Sequence, residues 1–148
     1  MRGVCLLLVL TAFAAADDKK EATLWDGLGG EPAVKKVVDD WFELLVKDPK
    51  VNVSRDGKFK STPEGVAVRK KLAIAFISAG SGGPIKYEGR DMKTAHKGMA
   101  IQDSEFDAAL DALKQALASN RVKPADAAAL LKVFESTRKE IVEGKKPG

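Results

Sequence analysis

The stretch PIKYEGRDMKTAHKGMAI, residues 84–101, contains the only histidine, His96, and the only tyrosine, Tyr87, in a chain of 148 residues. A neutral imidazole is the commonest protein ligand for transition metals, and it is also the usual general base near neutral pH. The glycine pair at 82–83 predicts the end of a helix before this stretch. Gly98 leaves room for a bulky planar group or another backbone segment beside the histidine. A structural role, metal ligation and base catalysis all remain open, because no triad or second histidine accompanies His96.

Helical periodicity dominates the chain before this stretch. Apolar residues recur with the helical period after the glycines at 29–30, and the Glu-Pro pair at 31–32 suits the first turn of a helix. The Thr-Pro pair at 62–63 predicts the N-cap and first residue of a second long helix, which ends at the glycines of 80–83. The polar stretch between these two helices is predicted to be a loop.

The last third predicts two further helices. Ser104 is expected to cap a helix that runs to Asn120, and the Lys-Pro pair at 123–124 is expected to open a final helix that extends to Val142. No period-two pattern and no internal repeat occurs. We therefore expect an all-α fold.

Several separated motifs, in this order, resemble those of the group I truncated haemoglobins of the globin superfamily. They are LGG at 28–30, VVDDWF at 37–42, DP at 48–49, the stretch 84–101, and the pattern from Ile101, Ser104 and Phe106 through Val142. The resemblance implies a truncated globin, a two-over-two helical sandwich, over residues 24–143. It also leads us to expect a bacterial protein.

The resemblance further implies a b-type haem that is held without covalent attachment, with its iron on His96. Phe42, Ala73 and Phe76 would form the ligand side, and basic residues at the rim could pair the propionates. The residues implied to contact the haem are Phe42, Arg69, Ala73, Phe76, Tyr87, Met92, His96 and Ile101.

Two positions depart from the family pattern. Phe42 stands where the family commonly has a tyrosine that donates a hydrogen bond to the gas ligand. Val53 stands where a phenylalanine is expected against the haem, a contact that Phe59 could supply from a different point of the loop. Since residues 32–80 contain no Tyr, Gln or His, we expect an apolar ligand side.

Trp41 and Arg69 are the remaining candidate donors on that side. The indole N–H of Trp41 and the guanidinium of Arg69 would each have to point inward to reach a ligand. For Arg69, a haem propionate or solvent is an equally good destination.

Residues 1–16 have the pattern of a secretory signal peptide, with Arg2, an apolar run over 4–13 and small residues before Asp17. The apolar run is roughly half of the ~20 residues that a membrane span needs. We therefore expect an exported protein, periplasmic or secreted, with no membrane span after cleavage. Cleavage would also remove Cys5, the only cysteine, which excludes haem attachment through Cys-x-x-Cys-His. Residues 17–23 are expected to be flexible, and residues 144–148 to be a frayed tail.

The composition agrees with a single globular domain. Hydrophobic residues make up 45% and charged residues 31% of the chain, and the formal net charge is +4. The lysines are scattered rather than gathered in a stripe with aromatic residues between them. No nucleic-acid partner is therefore predicted.

From the resemblance we expect reversible binding of O2, CO or NO, in oxygen binding and transport. Oxidative detoxification of NO or peroxide, with a redox partner, stays open as an NO dioxygenase or peroxidase-like side activity. Two other classes also stay open. One is a globin-like helical interaction module that has lost haem, and the other is an enzyme that uses His96 as a general base.

Overall fold

The computed structural model describes residues 21–59 and 61–144, and these form seven helices and no strand. The predicted all-α fold is confirmed for this part of the chain. The helices are α1 (Leu24–Gly27), α2 (Gly30–Lys47), α3 (Pro63–Ser81), α4 (Met92–His96), α5 (Asp103–Ser119), α6 (Pro124–Glu135) and α7 (Arg138–Ile141). The predicted signal peptide and residues 145–148 of the predicted tail lie outside the described residues. None of the helices in the described ranges has the length and apolar character to cross a membrane.

The first long helix, α2, begins where the glycine pair predicts it. Gly29, with φ of 91°, turns the chain into the helix. Three consecutive inward positions, Val34, Val37 and Val38, are buried and form one face of the main core. This face packs against α3 and α5.

The second long helix, α3, has the predicted cap and the predicted end. The Thr62 hydroxyl accepts a hydrogen bond from the Gly65 amide at 3.1 Å, and Pro63 is the first helical residue. After Gly82, with φ of 79°, the Gly83 amide donates to the carbonyl of Ser78 at 2.8 Å. A Cβ at position 83 would lie 2.4 Å from the Ser78 hydroxyl and 2.6 Å from the Trp25 ring. Only glycine therefore allows this close turn toward the histidine stretch.

Two predictions about the last third are wrong. Helix α5 begins at Asp103, with Gln102 at the N-cap, because the Glu105 carboxylate reaches back to accept from the Gln102 amide at 2.8 Å. Ser104 is therefore inside the first turn and not the cap.

The predicted final helix is two helices, because two hydroxyl side chains compete for backbone carbonyls at its break. Ser136 donates to the carbonyl of Val133, and Thr137 donates to the carbonyl of Phe134, each at 2.7 Å. The chain turns here, and α7 follows as a separate short helix.

The four long helices form two pairs. Helix α2 packs on α3, helix α5 packs on α6, and the two pairs meet mainly through α2 against α5. The main core between them is centred on buried residues of all four helices: Val34, Val38, Ile77, Leu113, Leu117 and Leu130. Helix α4 lies apart from this core and packs against α7.

Candidate functional site

His96 is the last residue of α4, a single-turn helix that Asp91 caps. The Asp91 carboxylate accepts a hydrogen bond from the Thr94 amide at 2.8 Å, and this bond lowers the pKa of that carboxyl. The Nδ1 of the half-buried His96 ring lies 2.8 Å from the carbonyl oxygen of Met92. A carbonyl oxygen only accepts, so Nδ1 carries the proton and Nε2 keeps a free lone pair. Metal-ligating histidines commonly have this arrangement.

Tyr87 closes the turn that leads into α4. Its hydroxyl donates to the carbonyl of Arg90 at 2.7 Å, and burial, with the nearby Asp91, raises its pKa. The ring packs edge-on against Phe76 of α3, with 5.8 Å between ring centroids. Tyr87 therefore links the histidine segment to α3 and keeps its hydroxyl protonated and engaged.

Five aromatic rings form a continuous row, the aromatic row, from α2 across α6 and α3 to the segment before α4. Its members are Phe42, Trp41, Phe134, Phe76 and Tyr87, and successive ring centroids are 5.7, 5.2, 5.3 and 5.8 Å apart. Every contact is edge-to-face, and all five side chains are only half-buried. Aromatic side chains of this size are usually well buried in a protein core. The exposed part of these five rings therefore offers a surface against which a flat aromatic group could pack.

A second apolar group, the proximal cluster, surrounds the segment that carries the histidine. It consists of the buried Ile101, Phe106 and Ile141 with the half-buried Met92, Met99, Leu110 and Val142. The cluster joins α4 to the start of α5 and to α7. Two members of this cluster, Met92 and Met99, thus flank His96 in the sequence.

The structure distributes the predicted site residues over these features. Phe42 and Ala73 pack against the main core, and Phe42 also begins the aromatic row that ends at Phe76 and Tyr87. Met92 and Ile101 belong to the proximal cluster, next to His96. Arg69 alone lies at the surface.

Both candidate donors of the ligand side are engaged elsewhere. The Trp41 indole nitrogen donates to the carbonyl of Ala109 on α5 at 2.9 Å. Arg69 is exposed, and its guanidinium donates to the carbonyl of Gly65 at 3.2 Å and to the hydroxyl of Ser61 at 3.0 Å. The predicted ligand side, built from Phe42, Ala73 and Phe76, therefore receives no hydrogen-bond donor from Trp41 or Arg69 in this structure.

Lys70, which sequence reasoning did not single out, lies next to Phe42 of the predicted ligand side. Its ammonium is 5.9 Å from the centroid of the Phe42 ring and donates to the Asp39 carboxylate at 2.8 Å. Lys35 also donates to Asp39, at 2.6 Å. The hydrogen bond from Lys35 lowers the pKa of that carboxyl most, and the bond from Lys70 lowers it further. Asp39 and Phe42 share one face of α2 at a spacing of three. Only the packing of α2 on α3 shows that Lys70 faces both of them.

The predicted loop before α3 is confirmed in its described residues, and a haem contact made by Phe59 from this loop stays a prediction. Its side chain is 40% exposed, whereas Val53 is half-buried. The backbone of this loop enters the left-handed region at Asn52, Arg55, Asp56 and Gly57. The ion pair between Arg55 and Glu105 then ties the loop to α5.

A single imidazole, with a half-buried aromatic surface that reaches Tyr87 in the segment before it, fits a haem, whose porphyrin supplies the remaining iron ligands. No group of three or more His, Cys, Asp or Glu side chains within residues 21–59 and 61–144 could hold a bare metal ion.

Comparison with known proteins agrees with this arrangement. A family model described as bacterial-like globin matches residues 23–143. The group 1 truncated hemoglobin LI410 of Chlamydomonas moewusii is 34% identical over 145 residues, which cover 96% of this chain and 81% of that protein. The group 1 truncated hemoglobin GlbN of a Nostoc strain is 31% identical, over 74% of this chain and 88% of that protein. The crystal structure of the Tetrahymena pyriformis truncated hemoglobin, in its Fe(III) form, superposes with a TM-score of 0.72 at 34% identity, covering 84% of this chain and all of that one. The two-over-two fold is thereby confirmed.

Proposed function

We propose that this chain, a haem-binding globin that belongs to the group 1 truncated haemoglobins within the bacterial-like globin family, reversibly binds a diatomic gas: O2, CO or NO. We propose that the cofactor is a b-type haem, held without a covalent bond, with His96 as its axial ligand. Haem, when bound, supplies an iron with one coordination position for the gas. Everything else in the site comes from this chain's own side chains.

The observation that carries the proposal is the state of the His96 ring. Its Nδ1–H is directed to the Met92 carbonyl at 2.8 Å, which fixes the tautomer and leaves Nε2 as the only ring nitrogen able to bind iron. The same hydrogen bond limits rotation of the ring. Asp91, through its bond to the Thr94 amide, holds the helix turn that bears this pair.

The aromatic row would hold the porphyrin. Its rings pack edge-to-face on one another, so each is braced by a neighbour while part of its surface stays open. Burial of such surface against a planar aromatic group is favourable by ~25 cal/mol per Å². Held in this way, the cofactor needs no thioether bond, and the chain has no Cys-x-x-Cys-His site because Cys5 is its only cysteine.

The apolar ligand side sets the expected selectivity. Phe42 and Ala73 offer no hydrogen-bond donor, and the Trp41 indole is already bonded to Ala109. Dioxygen depends on a donor for tight retention in a globin, whereas carbon monoxide is less polar and depends on one less. We therefore expect oxygen to be released quickly and carbon monoxide to be preferred.

The test is haem titration of the purified protein. One equivalent of haem should produce a Soret band, and reduction under carbon monoxide should shift that band. A helical module without haem is not favoured by the similarity to truncated haemoglobins over most of the chain. Failure of the full-length fold to take up haem, with circular dichroism still helical, would restore that alternative.

We also propose that the protein is exported. Support comes from the sequence of residues 1–16, in which Arg2 precedes an apolar run and small residues precede Asp17. Mature protein recovered outside the cytoplasm should begin at Ala15 or Asp17 by N-terminal sequencing, after the small-residue sites at 12–14 or at 14–16. Recovery of chains that still begin with Met1, and only from the cytoplasm, would reject export.

A further inference from the structure

The backbone just after His96 is held by a carboxylate from the other end of the described chain. Glu143 Oε1 accepts a hydrogen bond from the Gly98 amide, and Oε2 accepts one from the Ala100 amide, each at 2.6 Å. The Glu143 amide in turn donates to the carbonyl of Ile101 at 3.1 Å. Three hydrogen bonds therefore join a single residue beyond α7 to residues 98–101.

The two amides point to one carboxylate because of an uncommon backbone conformation. Gly98 has φ of 80° and Ala100 has φ of 51°, so both are left-handed. Alternating conformations of this kind turn successive N–H groups toward one anion. A left-handed alanine is unfavourable by itself, so the bonds to Glu143 stabilise a loop shape that the local sequence would not hold. The hydrogen bond from the Gly98 amide lowers the pKa of the Glu143 carboxyl most, and the bond from the Ala100 amide lowers it further.

This loop controls the end of the helix that carries His96. Between the two anchored residues lies Met99, whose amide donates to the carbonyl of His96 at 3.0 Å. Helix α4 has only five residues, and its C-cap, Lys97, is extended (ψ of 130°). The Met99 bond therefore closes a β-turn over Lys97 and Gly98, directly after the histidine.

Side-chain packing also joins the segment before Glu143 to the histidine segment. Ile141 and Val142, directly before Glu143, pack in the proximal cluster with Met92 and Met99. Met92 is the residue whose carbonyl accepts from His96 Nδ1. The start of α4 and the loop that follows it thus both pack in the cluster to which Ile141 and Val142 belong.

We propose that Glu143 is a positioning residue for the axial histidine, acting through the Gly98–Ala100 loop to hold the His96 ring in its iron-binding orientation. The inference rests on the proposed function, because it takes His96 as the haem ligand. Glu143 itself does not contact the cofactor. It sets how firmly the ring is held, and with it the strength of the iron–histidine bond.

The test compares Glu143→Ala and Glu143→Gln with a matched control, Glu140→Ala, in the full haem-loaded chain. Glu140 is an exposed acid on α7, three residues earlier, and its side chain makes no hydrogen bond among the described residues. Amide exchange at residues 98–100 is measured by NMR in the carbon monoxide form. The iron–histidine stretching band is measured by resonance Raman in the ferrous form.

In Glu143→Ala we expect exchange of the Gly98, Met99 and Ala100 amides to rise about ten-fold or more, since charge-assisted bonds are lost. The iron–histidine band should move to lower frequency and broaden, because the Nδ1 bond to Met92 is no longer held in one geometry. Glu143→Gln keeps one carbonyl oxygen, so at least one of the Gly98 and Ala100 amides should still exchange faster. The control should match the wild type in both measurements.

An unchanged iron–histidine band in a folded Glu143→Ala variant would overturn the proposal, as would faster exchange spread evenly over α5 and α6. If the alanine variant does not fold, the glutamine variant decides, and wild-type exchange at both amides would overturn the proposal. Failure of the proposed function looks different, because the wild type would then show no haem band. Amide exchange in the haem-free full chain would still report whether Glu143 anchors the loop.

Discussion

The indole nitrogen of Trp41 lies 2.9 Å from the carbonyl oxygen of Ala109, and this hydrogen bond joins α2 to α5. Because this N–H is bonded between helices, it is not available to a ligand, and α2 has no other aromatic N–H. Its neighbour Phe42 begins the aromatic row on the same helix, with 5.7 Å between the two ring centroids. The hydrogen-bonding capacity of the ligand side thus depends on residue 42 alone among the aromatic residues of α2.

Introducing a donor at that position should slow oxygen release. We expect Phe42→Tyr to lower the O2 dissociation rate by about ten-fold or more, since one desolvated hydrogen bond is worth about 1.4 kcal/mol or more. Wild-type protein should release O2 quickly, autoxidise readily and prefer CO. Stopped-flow mixing with CO measures the release. Slow release in the wild type that becomes faster in Trp41→Phe or Arg69→Ala would show that one of these side chains does reach the ligand.

Removal of the imidazole should abolish axial ligation. In His96→Ala the five-coordinate ferrous spectrum should be lost and haem affinity should fall, because the chain has no other histidine. Added free imidazole should restore the spectrum in part. Lys97→Ala, at the exposed neighbouring position, is the control and should behave as wild type. A wild-type ferrous spectrum in the His96 variant would reject the assignment.

The resting iron should not be bis-histidine. One imidazole per chain cannot occupy both axial positions, so the sixth position must be open, hold water, or take a weaker ligand such as Met or Lys. EPR of the ferric protein is the measurement. A signal of two imidazoles in a chain shown to be monomeric by sedimentation would contradict this expectation.

The Asp39 network should stabilise the fold only above mildly acidic pH. Hydrogen bonds from Lys35 and Lys70 hold the folded-state pKa of Asp39 below the usual value for an aspartate carboxyl. A lowered carboxyl pKa contributes stability above the unfolded-state value, and this contribution is lost as pH falls through the folded-state value. Asp39→Asn should therefore lower the free energy of unfolding by about 1 kcal/mol at neutral pH and by progressively less below about pH 4.

Urea unfolding of Asp39→Asn across that pH range checks this prediction. Asp111→Asn is the control, because Asp111 is an exposed acid on α5 without an ion pair in the described part of the chain. Its difference from wild type should be small at every pH. An Asp39→Asn deficit that stays constant down to pH values well below 3.8 would mean that the charge on Asp39 is not the source of the stability.

Much of this protein is determined by its sequence alone. Glycine pairs at 29–30 and 82–83 mark turns that only glycine adopts, and the Thr62 cap with Pro63 starts α3. These are local effects, since they depend on φ angles and on hydrogen bonds within four residues. The proposed axial ligand is equally a matter of sequence, because the chain holds one imidazole. The apolar ligand side was also foreseeable, from the lack of Tyr, Gln and His over residues 32–80.

The tertiary structure alone decided where the remaining polar groups go. Nothing near Trp41 in sequence indicates that its N–H is bonded to Ala109, 68 residues away. Nothing near His96 points to Glu143, which lies 45 residues beyond the Gly98 amide that it accepts from. The break at Ser136 and Thr137 was missed for a related reason: an apolar pattern continues across it to Val142, while two hydroxyls take the carbonyls. Long-range partners of side chains depend on how helices pack in three dimensions, and periodicity along one helix records only which face is buried.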